Sequence, residues 1–193
     1  MKFLLINGAA QFAHSGGRLN DTLHARAVQV LKGFGHTVDE TVIAKGYDNA
    51  QEVQKYLQAD VVVYQMAGWW MGLPWPVKKY IDDVFTAGHG SLYRNDGRSR
   101  TNPSQNYGTG GMLENKRYML SVTWNAPLEA FNEFGNFFDG RGVEGVYYTF
   151  HKAQQFIGLK ALPTFIANDV EKAPDVPATL VAYEAHLKNL FAV

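Results

Sequence analysis

With 193 residues the chain fits one domain, and at that size folding removes roughly 70% of the unfolded surface, so the core needs no covalent staple. Eighteen basic and eighteen acidic residues cancel, which argues against a nucleic-acid footprint, a polybasic membrane surface, or a small electron carrier that docks by opposite charge. Cysteine is absent, which excludes disulfides, thiolate metal sites and a Cys nucleophile and agrees with a reducing compartment.

In chain order, Met1 to Ile6 starts like a secretory leader, but the apolar run stops at Asn7-Gly8, so Lys2 to Asn7 reads as the first strand. A loop of Gly, Ala, Ser and His runs from Gly8 to Arg18. Asn20 then stands as the N-cap of a helix with Asp21 in its first turn. Leu23, Ala27, Val30, Leu31 and Phe34 share one face of that helix, and Gly33 and Gly35 close it. His36 to Ile43 reads as strand two, Ala50 to Leu57 as a short helix, and Val61 to Gln65 as strand three. The run Val61-Val62-Val63 is the pattern of a strand covered on both faces. Pro76 fixes φ for a helix that continues through Val77, Tyr80, Ile81, Val84 and Phe85 to about Thr86. Arg117 to Thr123 reads as strand four, Lys160 to Ile166 as strand five, and Val176 to Phe191 as a last helix. No stretch approaches the length that spans a bilayer.

Strands alternating with helices predict an α/β domain over residues 1–193: a doubly wound, five-stranded parallel sheet of order 2-1-3-4-5 with helices on both faces. The residues from Ala87 to Asn115 stand apart as a long loop without apolar period, the kind of segment that is usually functional or touches a partner.

Ligands of such sheets bind at the carboxyl ends of the strands, at the switch point between strands one and three. Three segments fall there. After strand one, Phe12-Ala-His-Ser-Gly-Gly-Arg-Leu-Asn-Asp-Thr22 turns into a helix N-terminus, where free amides, the helix dipole, Ser15, Thr22, Asn20 and the Arg18 cation make a phosphate cradle. Taken one residue at a time, Asn20 reads better as a plain cap and His14 as a residue that packs or bonds backbone; the meeting of two loops at one switch point is what favors the cradle. After strand three, Ala67 to Trp75 sets three tryptophans among two glycines and Pro74, with Pro76 directly after, which suits a flat wall for a planar ring better than a core cap. After strand four, Thr123-Trp-Asn-Ala-Pro127 reads either as amides and an Asn125 side chain for the polar edge of a ring, with Trp124 excluding water, or as a turn with a buried Trp. The six histidines show no metal spacing, and neither a nucleophile elbow nor a Walker loop is present.

Asn7-Gly8-Ala9, Phe12-Ala-His-Ser15, Leu19-Asn-Asp-Thr22, Gly68-Trp-Trp-Met-Gly72, Val77 to Phe85, Thr123 to Pro127 and Pro163 to Val170 resemble the bacterial NADPH:quinone oxidoreductases known as modulator of drug activity B. The resemblance spans essentially the whole chain. It implies a flavodoxin-like fold, a cytoplasmic homodimer, bound FAD, and two-electron reduction of a quinone by NADPH in a ping-pong cycle through flavin N5. It also implies FAD contacts at Ser15, Gly16, Gly17, Arg18, Leu19, Asn20, Asp21 and Thr22, at Gly68, Trp69, Trp70 and Met71, at Tyr107, and at Thr123, Trp124, Asn125 and Ala126. Thr123-Trp-Asn-Ala departs from the Thr-Thr-Gly-Gly pattern of the wider quinone reductases, and their downstream Tyr and His have no counterpart, so no acid or base is assigned. A flavin-dependent nitro or azo reductase and a flavodoxin-like electron carrier are the alternative functions.

Overall fold

The β-branched run Val61-Val62-Val63 becomes the center of the sheet. In a computed structural model that describes residues 1–13 and 15–192, the parallel sheet runs β2 (Thr37–Val42), β1 (Lys2–Asn7), β3 (Val61–Ala67), β4 (Arg117–Thr123) and β5 (Lys160–Ala161), with β6 (Phe165–Ala167) also paired to β4. His14, named above as a packing residue, lies outside the described residues. The order is the one expected, with the registers Leu5↔Val63 and Val63↔Met119 carrying the center. Residues alternate between two apolar layers. Val61 and Val63 pack under α1 (Arg18–Gly33) and α7 (Val176–Phe191), with Leu23, Ala27, Tyr183 and Leu187. Val62, Tyr64 and Met66 pack under α2 (Asn49–Gln58) and α3 (Trp75–Ala87), with Tyr56, Tyr80 and Val84. Each fully buried Val or Leu contributes roughly 1.5–3 kcal/mol, so a charge at Val63, buried under α1 and α7, would break the fold. No helix among the described residues is long and apolar enough to cross a membrane.

Two expectations need correction. The fifth strand is not continuous: Leu162 still donates its amide to the Tyr118 carbonyl at 2.8 Å, but Pro163 has no N–H to offer, and the ladder to β4 resumes only at Phe165. Asn20 is not the N-cap. The helix starts earlier, at Arg18, on a Gly17 with φ 70° that caps it without a side-chain hydrogen bond. The stretch between β4 and β5, for which the sequence suggested no elements, holds α4 (Glu129–Asn132), α5 (Gly142–Val146) and α6 (Tyr148–Phe156). Its first two helices are only four and five residues long, with positive-φ turns at Gly135, Gly140 and Gly142 among them. In α6 one of the two inward residues is the polar Gln154, so no helical period shows in the sequence.

The long loop is ordered by its own anchors. Leu92 and Leu113 are buried, and Leu113 donates its amide to the Ile157 carbonyl at 3.0 Å. Since α3 carries the chain back to the starting ends of the strands, a connection from α3 to β4 begins and ends at that edge, opposite the expected ligand edge. Tyr93 and Tyr107 meet Phe156 there, at ring separations of 5.4 and 6.0 Å. Within one chain the loop therefore does not cover the switch point.

Candidate functional site

At the carboxyl ends of β1, β3 and β4 a cleft of about 260 Å³ opens between three connections. Its first wall is the β1–α1 loop and the start of α1: Ser15, Gly16, Gly17, Arg18, Leu19 and Asn20. With no side chain capping α1, the first amides of the helix and its dipole are left for a ligand, and the exposed Arg18 adds a cation. Gly16 and Gly17 keep the approach free of side chains. This is the chemistry of a phosphate site.

The second wall is Ala67, Gly68 and Trp69. Trp69 and Gly72 exchange backbone hydrogen bonds of 3.0 and 3.2 Å, and the two residues between them, Trp70 and Met71, have φ of 43° and 64°. That is a tight hairpin turn built without glycine at its tip, a strained arrangement of the sort found near ligand sites. Across from it, Phe12 and Ser15 exchange bonds of 2.9 and 2.7 Å, and the Phe12 ring stacks on Trp69 at 4.4 Å and 23°. Two loops distant in sequence are thus joined by one aromatic pair. Trp70, at the tip, is 85% exposed.

Thr123 and Asn125 form the third wall, with Val170 and Glu171 beyond them. Asn125 does not dangle: its Oδ1 accepts from the amides of Glu171 and Lys172 at 3.3 and 3.2 Å, and its Nδ2 donates to Glu171 Oε2 at 3.2 Å. Trp124 takes the second of its two readings, the buried one. Its Nε1 donates to the Tyr147 hydroxyl at 3.0 Å, and Phe131 and Phe138 meet it edge-on. A Cβ on Gly68 would fall inside the Trp124 indole, so Trp124 acts on the cleft from behind, by demanding glycine at 68.

Of the residues singled out from sequence, Ser15 to Asn20, Gly68, Trp69, Thr123 and Asn125 come together around the cleft. The others are placed elsewhere, for identifiable reasons. Asp21 turns back to accept from Asn7 Nδ2 at 2.7 Å, and the Thr22 hydroxyl donates to the Arg18 carbonyl at 2.9 Å. Trp70 and Met71 sit on the exposed turn, while the Ala126 carbonyl is taken by Asn168 Nδ2 at 3.1 Å. Tyr107 lies under Arg98, 5.5 Å from ring centroid to guanidinium, at the far edge described above. Sequence reasoning missed Val170 and Glu171 as wall residues. Both follow β6, and the rule that ligands bind beyond strand ends applied to that strand as well.

Residues 1–190 match the family described as having a flavodoxin-like fold. The chain belongs to that family. Within it, the chain is 54% identical over 191 residues to the NADPH:quinone oxidoreductase MdaB of Haemophilus influenzae, covering 99% of this chain and 100% of that one. It is 60% identical over 191 residues to an uncharacterized protein of Schizosaccharomyces pombe, covering 99% of this chain and 97% of the other. A provisionally named quinone reductase from Klebsiella pneumoniae superposes with a TM-score of 0.73 at 24% identity, covering 99% of this chain and 85% of that one, a likeness that bears on the fold. The resemblance to the modulator of drug activity B group, drawn from short motifs, is borne out along the full chain.

Proposed function

We propose that this chain is a cytoplasmic NADPH:quinone oxidoreductase that carries FAD in the cleft at the switch point. The observation behind the reading is the meeting of an uncapped helix start with a stacked aromatic wall, in a chain so close to a quinone oxidoreductase. The residues present fit a phosphate-bearing flavin. The α1 amides, Ser15 and Arg18 would hold the phosphates. Trp69, braced by Phe12, would lie along the ring and keep water from it, and the ends of β3 and β4 would offer backbone groups to its polar edge. Asn125, fixed by the Glu171 and Lys172 amides, would hold the far end of the cleft in place. Bound there, the flavin supplies two-electron redox chemistry between NADPH and a quinone. No acid or base is assigned among the protein's own side chains.

Tyr107 has a place in this reading only through a second copy of the chain. From its position at the opposite sheet edge it would meet the flavin of a homodimer partner, not its own. The exposed apolar side chains Trp75, Phe134 and Phe137 are available for such an interface.

Steady-state oxidation of NADPH with menadione tests the function. One slot used in turn by donor and acceptor gives parallel double-reciprocal lines. Intersecting lines would mean two separate pockets, and no NADPH oxidation by the FAD-loaded protein would remove the assignment.

A further inference from the structure

Beneath the cleft, three buried polar side chains interrupt an apolar layer. Gln65 on β3 is 1% exposed, and Asn20 on α1 and Thr123 on β4 are 4% exposed each. Gln65 Nε2 donates to Asn20 Oδ1 at 2.9 Å, and Asn20 Nδ2 donates to Thr123 Oγ1 at 3.0 Å. Their neighbors in this layer are Val63, Met119 and Leu23. Gln65 Oε1 has no hydrogen-bond partner among the described residues. A buried acceptor left unpaired is costly, so fold stability alone does not explain an amide here where a methionine or leucine would fill the space.

Position explains it better. Each of the three stands at the root of a segment that forms the cleft: Asn20 is the third residue of α1, Gln65 lies two residues before the Ala67 wall, and Thr123 ends β4. The Gln65 carbonyl also accepts from the Gly8 amide at 2.8 Å, at the start of the β1–α1 loop. Gln65 itself does not line the cleft. Anything it does for a ligand it does through Asn20, whose backbone belongs to the uncapped first turn. Hydrogen bonds weaken steeply with misalignment, so a helix start that drifts or tilts loses its grip on a phosphate.

We propose that Gln65 is a positioning residue for cofactor binding: its amide pins Asn20, and through Asn20 holds the first turn of α1 in register with the loops after β3 and β4. The proposal rests on the cleft being the flavin site and adds to that reading a residue outside the cleft wall.

The test replaces Gln65 by methionine, which keeps the length and removes the amide. Expected for Gln65→Met are an apo-protein melting within about 4 °C of the unchanged chain and a Kd for FAD, from titration of the apo-protein, raised about tenfold. The affinity for inorganic phosphate, followed by phosphorus NMR, should fall in the same proportion. If Gln65→Met does not fold, Gln65→Glu decides. Its carboxyl can donate to Asn20 only when protonated, so its Kd relative to the unchanged chain should improve on going from about pH 8 to about pH 5.5. An unchanged Kd in folded Gln65→Met, or a pH-independent ratio for Gln65→Glu, overturns the proposal. If the unchanged chain takes up no FAD, the flavin reading fails instead, and the phosphate titration still decides whether Gln65 holds the cradle.

Discussion

The two faces of the sheet both bury polar side chains, but to different ends. Under α2 and α3, Glu52 is 2% exposed and accepts from the Thr41 hydroxyl at 2.7 Å, the Tyr80 hydroxyl at 2.6 Å and Lys55 Nζ at 2.7 Å. Nearby, the Tyr64 hydroxyl pairs with that of Tyr56 and donates to Gln154 Oε1 at 3.1 Å. Burial pushes the Tyr56, Tyr64 and Tyr80 phenols far above the ordinary tyrosine range. Under α1 and α7 the set formed by Gln65, Asn20 and Thr123 consists of uncharged amides and a hydroxyl, placed where strands end. Strongly shifted groups often mark active sites, yet none of these phenols reaches the cleft. What separates the two sets is their distance from the strand ends. A charged network that closes on itself within one layer holds helices to the sheet, whereas a neutral one at the strand ends holds the cleft together.

Removing Glu52 tests that division most severely. Glu52→Ala leaves the Thr41 and Tyr80 hydroxyls without their carboxylate acceptor and takes from Lys55 its partner charge, although Lys55 keeps the Glu40 carbonyl and the Thr41 hydroxyl; the expected loss is about 3–5 kcal/mol in urea unfolding. The FAD affinity of whatever remains folded should be unchanged. A fall in affinity without a fall in stability would erase the distinction between the faces.

Trp124 sits on the boundary, facing the α2/α3 layer but backing Gly68. Trp124→Phe loses the hydrogen bond to Tyr147 and part of the indole packing, and about 1–3 kcal/mol of stability is expected to go with them. Any change in flavin affinity should be the smaller effect, as a comparison of apo melting with FAD titration would show.

Trp69 is the opposite case. As a wall residue braced by Phe12, its loss in Trp69→Ala should cost about 1–2 kcal/mol of flavin binding and less of folding. Apo and holo melting curves separate the two, and an equal loss in both would make Trp69 part of the core.

The smallest expected effect is one of pH. Burial holds the His24 imidazole below its ordinary range, outweighing the hydrogen bond to Glu40 at 3.1 Å and the Glu40 and Asp21 charges. The unfolded chain therefore binds this proton more readily than the folded one. The stability linked to His24 is complete above the unfolded value near 6.5 and is lost as pH falls through the lower, folded value. Melting points taken from neutral toward acid pH should decline less for His24→Gln than for the unchanged chain. An identical slope would mean that His24 is free to protonate in the folded state.

Much of this was legible in the sequence, for reasons that also mark where the reading stopped. Val61 to Val63 could only be a strand covered on both faces, and the Pro and Gly around Trp69 could only be a loop at its end. Sheet order and switch point followed from alternation, and with them the three cleft segments. Asn20 was misread because a good capping residue two positions inside a helix looks the same in sequence as one at its start. Only Gly17, free to take a positive φ, shows that the helix begins earlier. Trp124 had two readings because burial depends on Phe131, Phe138 and Tyr147, which arrive from a stretch of short helices and turns that shows no period. Gln65 was read only as the end of a strand, since its partner Asn20 is 45 residues away.

Uptake of FAD by the apo-protein, followed by flavin absorbance and tryptophan fluorescence, tests the account most directly. Saturation at about one FAD per chain is expected, with the quenching of fluorescence strong in the unchanged chain and much reduced in Trp69→Phe. A protein that stays colorless with both FAD and FMN, or quenching that persists undiminished in Trp69→Phe, would contradict the placement of a flavin against the Trp69 wall.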